Sequence, residues 1–81
     1  MADELIARLR RVEGQVRGIQ RMIANAAPCS DVLTQIAAAR AALDATGLAL
    51  LDARLHDCLD HSDDHARTAE LVTAIGRFVR R

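Results

Sequence analysis

The sequence is poor in aromatics, holding one, Phe78, and it has no tryptophan, no tyrosine and no lysine. Without aromatic payload, any core must be aliphatic and built from Leu, Ile, Val and Ala, which suits packed helices and argues against a β-sandwich or barrel. No apolar run reaches the roughly 18 residues that a membrane span needs. The single proline, Pro28, allows only one proline break. Two cysteines and no leader pattern fit a reducing cytosol, where paired thiols more often sense or bind than staple. No Ser-His-Asp or paired-carboxylate set shares a helical face, and no glycine-rich phosphate loop occurs, so catalysis has no support. Eighty-one residues make one small domain, 1–81, whose limited core calls for a staple, and oligomerisation is the expected one.

Both cysteines stand at the ends of one stretch, Cys29 to Cys58, that contains no proline and a single glycine, Gly47, and is rich in Ala and Leu. It reads as one helix. At about 100° per residue, Cys29, Leu33, Ile36, Arg40, Leu43, Gly47, Leu50, Arg54 and Cys58 fall on one stripe. The thiols share a face but are 29 residues apart, or roughly 43 Å at helical rise, so within one chain they cannot meet. A second copy laid antiparallel about a two-fold axis at Leu43–Asp44 places position i against position 87 − i. Cys29 then faces the other copy's Cys58 twice per dimer. The same register sets Leu33 against Arg54 and Arg40 against Gly47, where the missing side chain leaves room for an arginine stem. The plainer alternative is that both cysteines are small buried apolar residues.

Ahead of that stretch, a first helix is expected from about Asp3 to Asn25, with Asp3 and Glu4 at its positive end. Leu5, Leu9, Val12, Val16, Ile19 and Ile23 repeat in strict four-three steps. Arg10, Arg17 and Arg21 lie roughly 150° from that seam, with Gly14 in their row and Gly18 beside it. Each glycine costs about 1 kcal/mol in a helix relative to Ala, which the close approach of a phosphate backbone or a neighbouring helix would explain; the alternative is a solvated arginine face. Asn25-Ala26-Ala27-Pro28 ends the pattern and puts Cys29 at or near the start of the second helix. Asp60-His61-Ser62-Asp63-Asp64 is a turn, with Ser62 as N-cap of a third helix whose apolar face is Leu71, Val72, Ile75, Phe78 and Val79.

The zero net charge conceals a gradient. Residues 5–40 carry six arginines against Glu13 and Asp31, residues 44–70 carry seven acids against Arg54 and Arg67, and Arg77, Arg80 and Arg81 close the chain. Arginine is the better side chain for bidentate phosphate contact, and such asymmetry is compatible with nucleic-acid binding. Arg54 is one turn before Cys58, and a fixed positive charge beside a thiol raises its thiolate fraction. Cys29 and the facing Cys58 thus read as an attacking and a resolving thiol. His61, three residues after Cys58, would complete a Cys₂His set for Cu(I) or Zn(II), although it lies past the expected helix end; His56 points to the opposite face.

The run Arg8-Leu-Arg-Arg-Val-Glu-Gly-Gln-Val-Arg-Gly-Ile-Gln-Arg-Met22, with Cys29-Ser-Asp-Val-Leu-Thr-Gln-Ile36 and Arg40-Ala-Ala-Leu43, closely resembles the copper-sensitive operon repressor (CsoR/RcnR-like) family. The resemblance covers nearly the whole chain. It implies an all-α cytosolic repressor of three helices: an antiparallel, four-helix-bundle-like dimer that pairs into a flat tetramer and binds double-stranded operator DNA without a helix-turn-helix. In the family's copper sensors a histidine stands four residues before the second cysteine, and here that position is Arg54. A cation repels Cu(I) and cannot ligate it. Nickel and cobalt sensors place histidine at the Cys58 position, and formaldehyde sensors have a single site cysteine; neither fits. The chain looks most like the persulfide-sensing members, which keep both cysteines and lack the histidine.

The expectation is therefore a repressor that needs no cofactor. It holds DNA through Arg8, which matches a family DNA-contact position, with Arg10, Arg17 and Arg21, and Gln15 and Arg40 as weaker contacts. Reactive sulfur then crosslinks Cys29 to Cys58 across the dimer, with Arg54 beside them, and releases the DNA. Two alternatives stand against it: a Cu(I)- or Zn(II)-responsive regulator using Cys29, Cys58 and His61, and a non-DNA-binding helical adaptor whose arginine row meets an acidic protein.

Overall fold

The computed structural model describes residues 2–60 and 65–80, with side chains described for residues 2–54 and 67–80. Three helices follow in order, α1 Ala2–Ala24, α2 Cys29–Asp60 and α3 His65–Val79, and no strand occurs among the described residues. Asp3 and Glu4 occupy the first turn of α1 and Arg21 its last, each complementing the helix dipole. The expected cap Ser62 and the candidate ligand His61 lie outside the described residues, as do the side chains of Cys58 and His56.

Between α1 and α2 the chain reverses through a Schellman closure. Ala27 N donates to Met22 O at 2.9 Å and Ala26 N to Ile23 O at 3.1 Å. Ala26 takes the left-handed conformation, with φ 54°, that this closure requires. Glycine is the usual occupant, since a Cβ there costs about 1–2 kcal/mol. Ala26→Gly should therefore raise the unfolding free energy by about 1 kcal/mol, read as a higher urea midpoint at constant slope. Pro28 immediately precedes α2, where its missing N–H costs no helical hydrogen bond, and its carbonyl accepts from Asp31 N at 3.0 Å and Val32 N at 3.1 Å. Cys29 is thus the first residue of α2.

The α1 and α2 helices form an antiparallel hairpin, the one extensive helix contact among the described residues. Its seam is close because α2 offers it small residues: Ala39 and Thr46 are buried, and Ala42, Ala49 and Ala53 are half-buried. Val12 is the buried residue that α1 contributes. Thr46 stays satisfied in this setting by donating from Oγ1 to Ala42 O at 2.8 Å. The third helix folds back along α2: Phe78, thirteen residues into α3, meets Gly47, thirteen residues before the end of α2.

That contact corrects one expectation. A Cβ on Gly47 would lie 2.6 Å from both Cε2 and Cζ of Phe78, so the space over Gly47 is filled by the chain's own aromatic ring and does not wait for an arginine stem. Phe78 and Gly47 are far apart in sequence, and helical periodicity within one element cannot disclose a contact between two.

The three helices lie in one layer, 54 × 27 × 13 Å. A single layer has nothing to close over its apolar faces. Leu9, Val16, Ile36, Leu43 and Leu50 all remain exposed, and no large side chain among the described residues is fully buried. The chain exposes 6596 Å², against roughly 4,800 Å² for a compact monomer of this length. Its radius of gyration is 16.5 Å, against about 12 Å for such a monomer. No helix among the described residues is long and apolar enough to cross a membrane.

Candidate inducer site and nucleic-acid face

Cys29 is exposed at the first turn of α2, immediately after Pro28. Cys58 lies on the same helix, two residues before its end. An uninterrupted α2 therefore separates the two positions by roughly 43 Å, and a single chain does not bring the proposed thiol pair together. Arg54, one turn before Cys58, is exposed. Between the two ends the apolar members of the stripe remain open to solvent, with Leu33 58% and Leu43 47% exposed, and only Gly47 is covered, by Phe78. No group of three His, Cys, Asp or Glu side chains converges among the described residues. Any site that joins the thiols must take one from each of two copies.

The chemistry of the donors decides which metal fits. Two thiolates are soft ligands of the kind that select Cu(I), and two of them satisfy an ion that accepts low coordination. Arg54 contributes no lone pair. The residues that would hold such an ion are Cys29 of one copy and Cys58 of another.

The cationic candidates divide into two groups. On α1, Arg10, Arg17 and Arg21 are exposed and share one side of the helix. Arg8, exposed, and Gln15, half-buried, project roughly 140° or more from that row, along an edge of the apolar seam. Arg40 is on another helix, α2, and belongs to the thiol stripe. The six do not form one patch. Glu13 approaches Arg17 at 3.9 Å, but both side chains are mostly solvated, so the pair holds Arg17 only weakly.

Gly14 lies in the arginine row and Gly18 beside it, and a Cβ at either would meet nothing within 4 Å. Neither has a positive φ. Packing within the chain and backbone conformation therefore give no reason for glycine at these positions.

Comparison with known proteins bears on both features. Residues 2–77 match the family model described as metal-sensitive transcriptional repressor. The copper-sensing transcriptional repressor RicR of Mycobacterium tuberculosis (strain ATCC 25618 / H37Rv) is 46% identical over 84 residues, covering 96% of this chain and 88% of that protein. Among solved structures, the copper-sensing repressor CsoR with Cu(I) from Geobacillus thermodenitrificans NG80-2 superposes with a TM-score of 0.86 at 33% identity, covering 96% of this chain and 85% of that one. The nickel-responsive transcriptional regulator InrS superposes with a TM-score of 0.84 at 35% identity, covering 98% and 93%. These relatives overturn the expectation that no metal is involved, because they are copper-sensing and nickel-responsive proteins. The physical reason is that Arg54 replaces one ligand of a copper pattern while both thiolates, the soft donors, remain.

Proposed function

The chain belongs to the metal-sensitive transcriptional repressor family, and on that premise we propose that it binds operator DNA as a dimer or tetramer and is released when Cu(I) joins Cys29 of one protomer to Cys58 of another. The observation that carries this reading is the placement of both thiol positions at opposite ends of one exposed stripe on α2. Membership in a repressor family leaves no place for a helical adaptor that avoids DNA.

The surface supports association. The excess of observed over compact area is on the order of 1,800 Å² for one chain, about twice the roughly 800 Å² that each partner buries in a standard interface. A second α2 laid antiparallel on the stripe closes the layer and forms both half-sites at once. Arg10, Arg17 and Arg21 serve the DNA backbone, Arg8 and Gln15 lie apart from them on the far edge of α1, and Gly14 and Gly18 let the phosphates come close to α1. A bound inducer ties the two ends of α2 to the ends of its partner and biases the assembly away from the DNA-bound arrangement.

One observation favours a second reading of the inducer. Arg54 adds a fixed positive charge one turn from Cys58, which suits an anionic oxidant better than a cation. In this reading a persulfide hands its outer sulfur to one thiolate and leaves as the donor thiolate. The facing thiolate then attacks, closes a disulfide and expels hydrosulfide, so that the persulfide is the two-electron oxidant.

The test is release of fluorescent GC-rich operator DNA from reduced protein, with Cu(I) supplied from a competing chelator in one arm and a persulfide donor in the other. Release by Cu(I), with the protein mass unchanged after denaturation, establishes the metal reading. Release by the persulfide alone, with a covalent dimer in the denatured mass spectrum, establishes the second. Operator DNA bound with no response to either removes the inducer site, and no salt-dependent DNA binding removes the repressor reading.

A further inference from the structure

Phe78 is the chain's one aromatic residue, and its ring meets α2 at Gly47, a position with no side chain in the way. The ring covers Gly47 with its Cε2–Cζ side: both atoms lie 2.6 Å from where a Gly47 Cβ would be, and Cδ2 lies at 3.5 Å. Phe78 is only half-buried in the single chain, so part of the ring that covers Gly47 remains open to a partner.

Gly47 belongs to the stripe that carries Cys29 and Cys58, and in the register that opposes those two thiols it faces Arg40 of the other protomer. Arg40 is exposed, and among the described residues no hydrogen bond or ion pair holds it. With the hollow over Gly47 closed by the ring, the arginine arriving there meets an aromatic face. We infer that Arg40 of each protomer stacks on the Phe78 ring of the other, twice per dimer, on either side of the two-fold axis. This inference rests on the antiparallel assembly proposed above.

The chemistry fits the two groups. A guanidinium is planar, weakly hydrated and attracted to the negative face of an aromatic ring, and both properties gain as water is excluded by a closing interface. The contact also gives α3 a role that its sparse packing on the hairpin does not explain. It fastens the last turns of α3 to the centre of the dimer, so that a displacement of α2 against its partner is felt at Arg77 and Arg80.

A double-mutant cycle tests the pairing, using Arg40→Met, which keeps the stem without the charge, and Phe78→Leu, which keeps Gly47 covered without the ring. Self-association is measured by sedimentation equilibrium on reduced protein, with far-UV melting as the check on folding. Each single variant should weaken dimerisation roughly tenfold, and the double variant no further. Phe78→Tyr, which preserves the ring, should associate as the parent does even if Phe78→Leu fails to fold, and weakening there by as much as in Phe78→Leu overturns the pairing. Additive losses in a chain that dimerises overturn it too and leave the antiparallel assembly standing. A parent chain that stays monomeric overturns both. Loss of DNA affinity in Arg40→Met with unchanged self-association assigns Arg40 to the DNA and removes it from Phe78.

Discussion

Alanine at Cys29 or at Cys58 should leave DNA binding in place and abolish its release. Cys29 is exposed at a helix start, and truncating an exposed side chain away from any packing changes stability little. The inducer site changes far more, because each half-site has only two thiolates and loses one of them. Loss of an outer-shell partner alone typically lowers metal affinity 10–100-fold, so loss of a direct ligand should lower Cu(I) affinity by at least about a hundredfold. The measurement is chelator competition for Cu(I) beside operator release on the same samples. Mixing the two variants sharpens the result. In a mixed dimer the Cys58→Ala protomer supplies Cys29 and the Cys29→Ala protomer supplies Cys58, so one half-site is whole and the other has lost both thiols. Random exchange should restore about one quarter of the sites. Recovery after mixing shows that the site is shared between chains. No recovery from variants that still dimerise means that the two thiols do not face each other, and the antiparallel register fails with them.

How much of this was legible from the residues alone depends on the range of the interaction. The ends of α1 and α2 are local events, set by Pro28 and by the loss of the four-three repeat after Ile23, and the observed bounds agree with the expected ones to about a residue. The seam was legible in part: its six members do share a face, but only Val12 is buried, because the hairpin covers one flank of the stripe and leaves Leu9 and Val16 on the other. Ala26 carries no turn signature, since nothing in an Asn-Ala-Ala-Pro run marks which residue will adopt positive φ. The Phe78–Gly47 contact joins two helices and is invisible to any pattern within one. The expectation that no metal is involved fails for a chemical reason. Arg54 removes a ligand and adds repulsion, but two soft donors persist at Cys29 and Cys58, and soft donors are what select Cu(I).

Replacing Arg10, Arg17 and Arg21 together by alanine should cost the protein most of its DNA affinity and little of its fold. All three are exposed, and the one ion pair in the row, Arg17 with Glu13, is solvated on both sides, so the helix loses nothing it depends on. Each phosphate contact removed takes with it a released counterion, which lowers the slope of log affinity against log salt by about 0.9. The triple variant should flatten that slope by nearly three and weaken binding on the order of a thousandfold at low salt, if each charged hydrogen bond contributes about 1.5 kcal/mol or slightly less. Arg8→Ala, on the other edge of the seam, should flatten the slope by no more than one contact's worth. Gly14→Ala separates the close approach of a phosphate backbone from the charge itself. A Cβ there meets nothing in the chain, so the variant should gain up to about 1 kcal/mol in stability and still bind DNA less tightly, with the salt slope kept. Anisotropy titrations at several salt concentrations read all of these quantities. An unchanged slope in the triple variant would move the DNA face off this side of α1, and Arg8 and Gln15 on the opposite edge would be the residues to replace next.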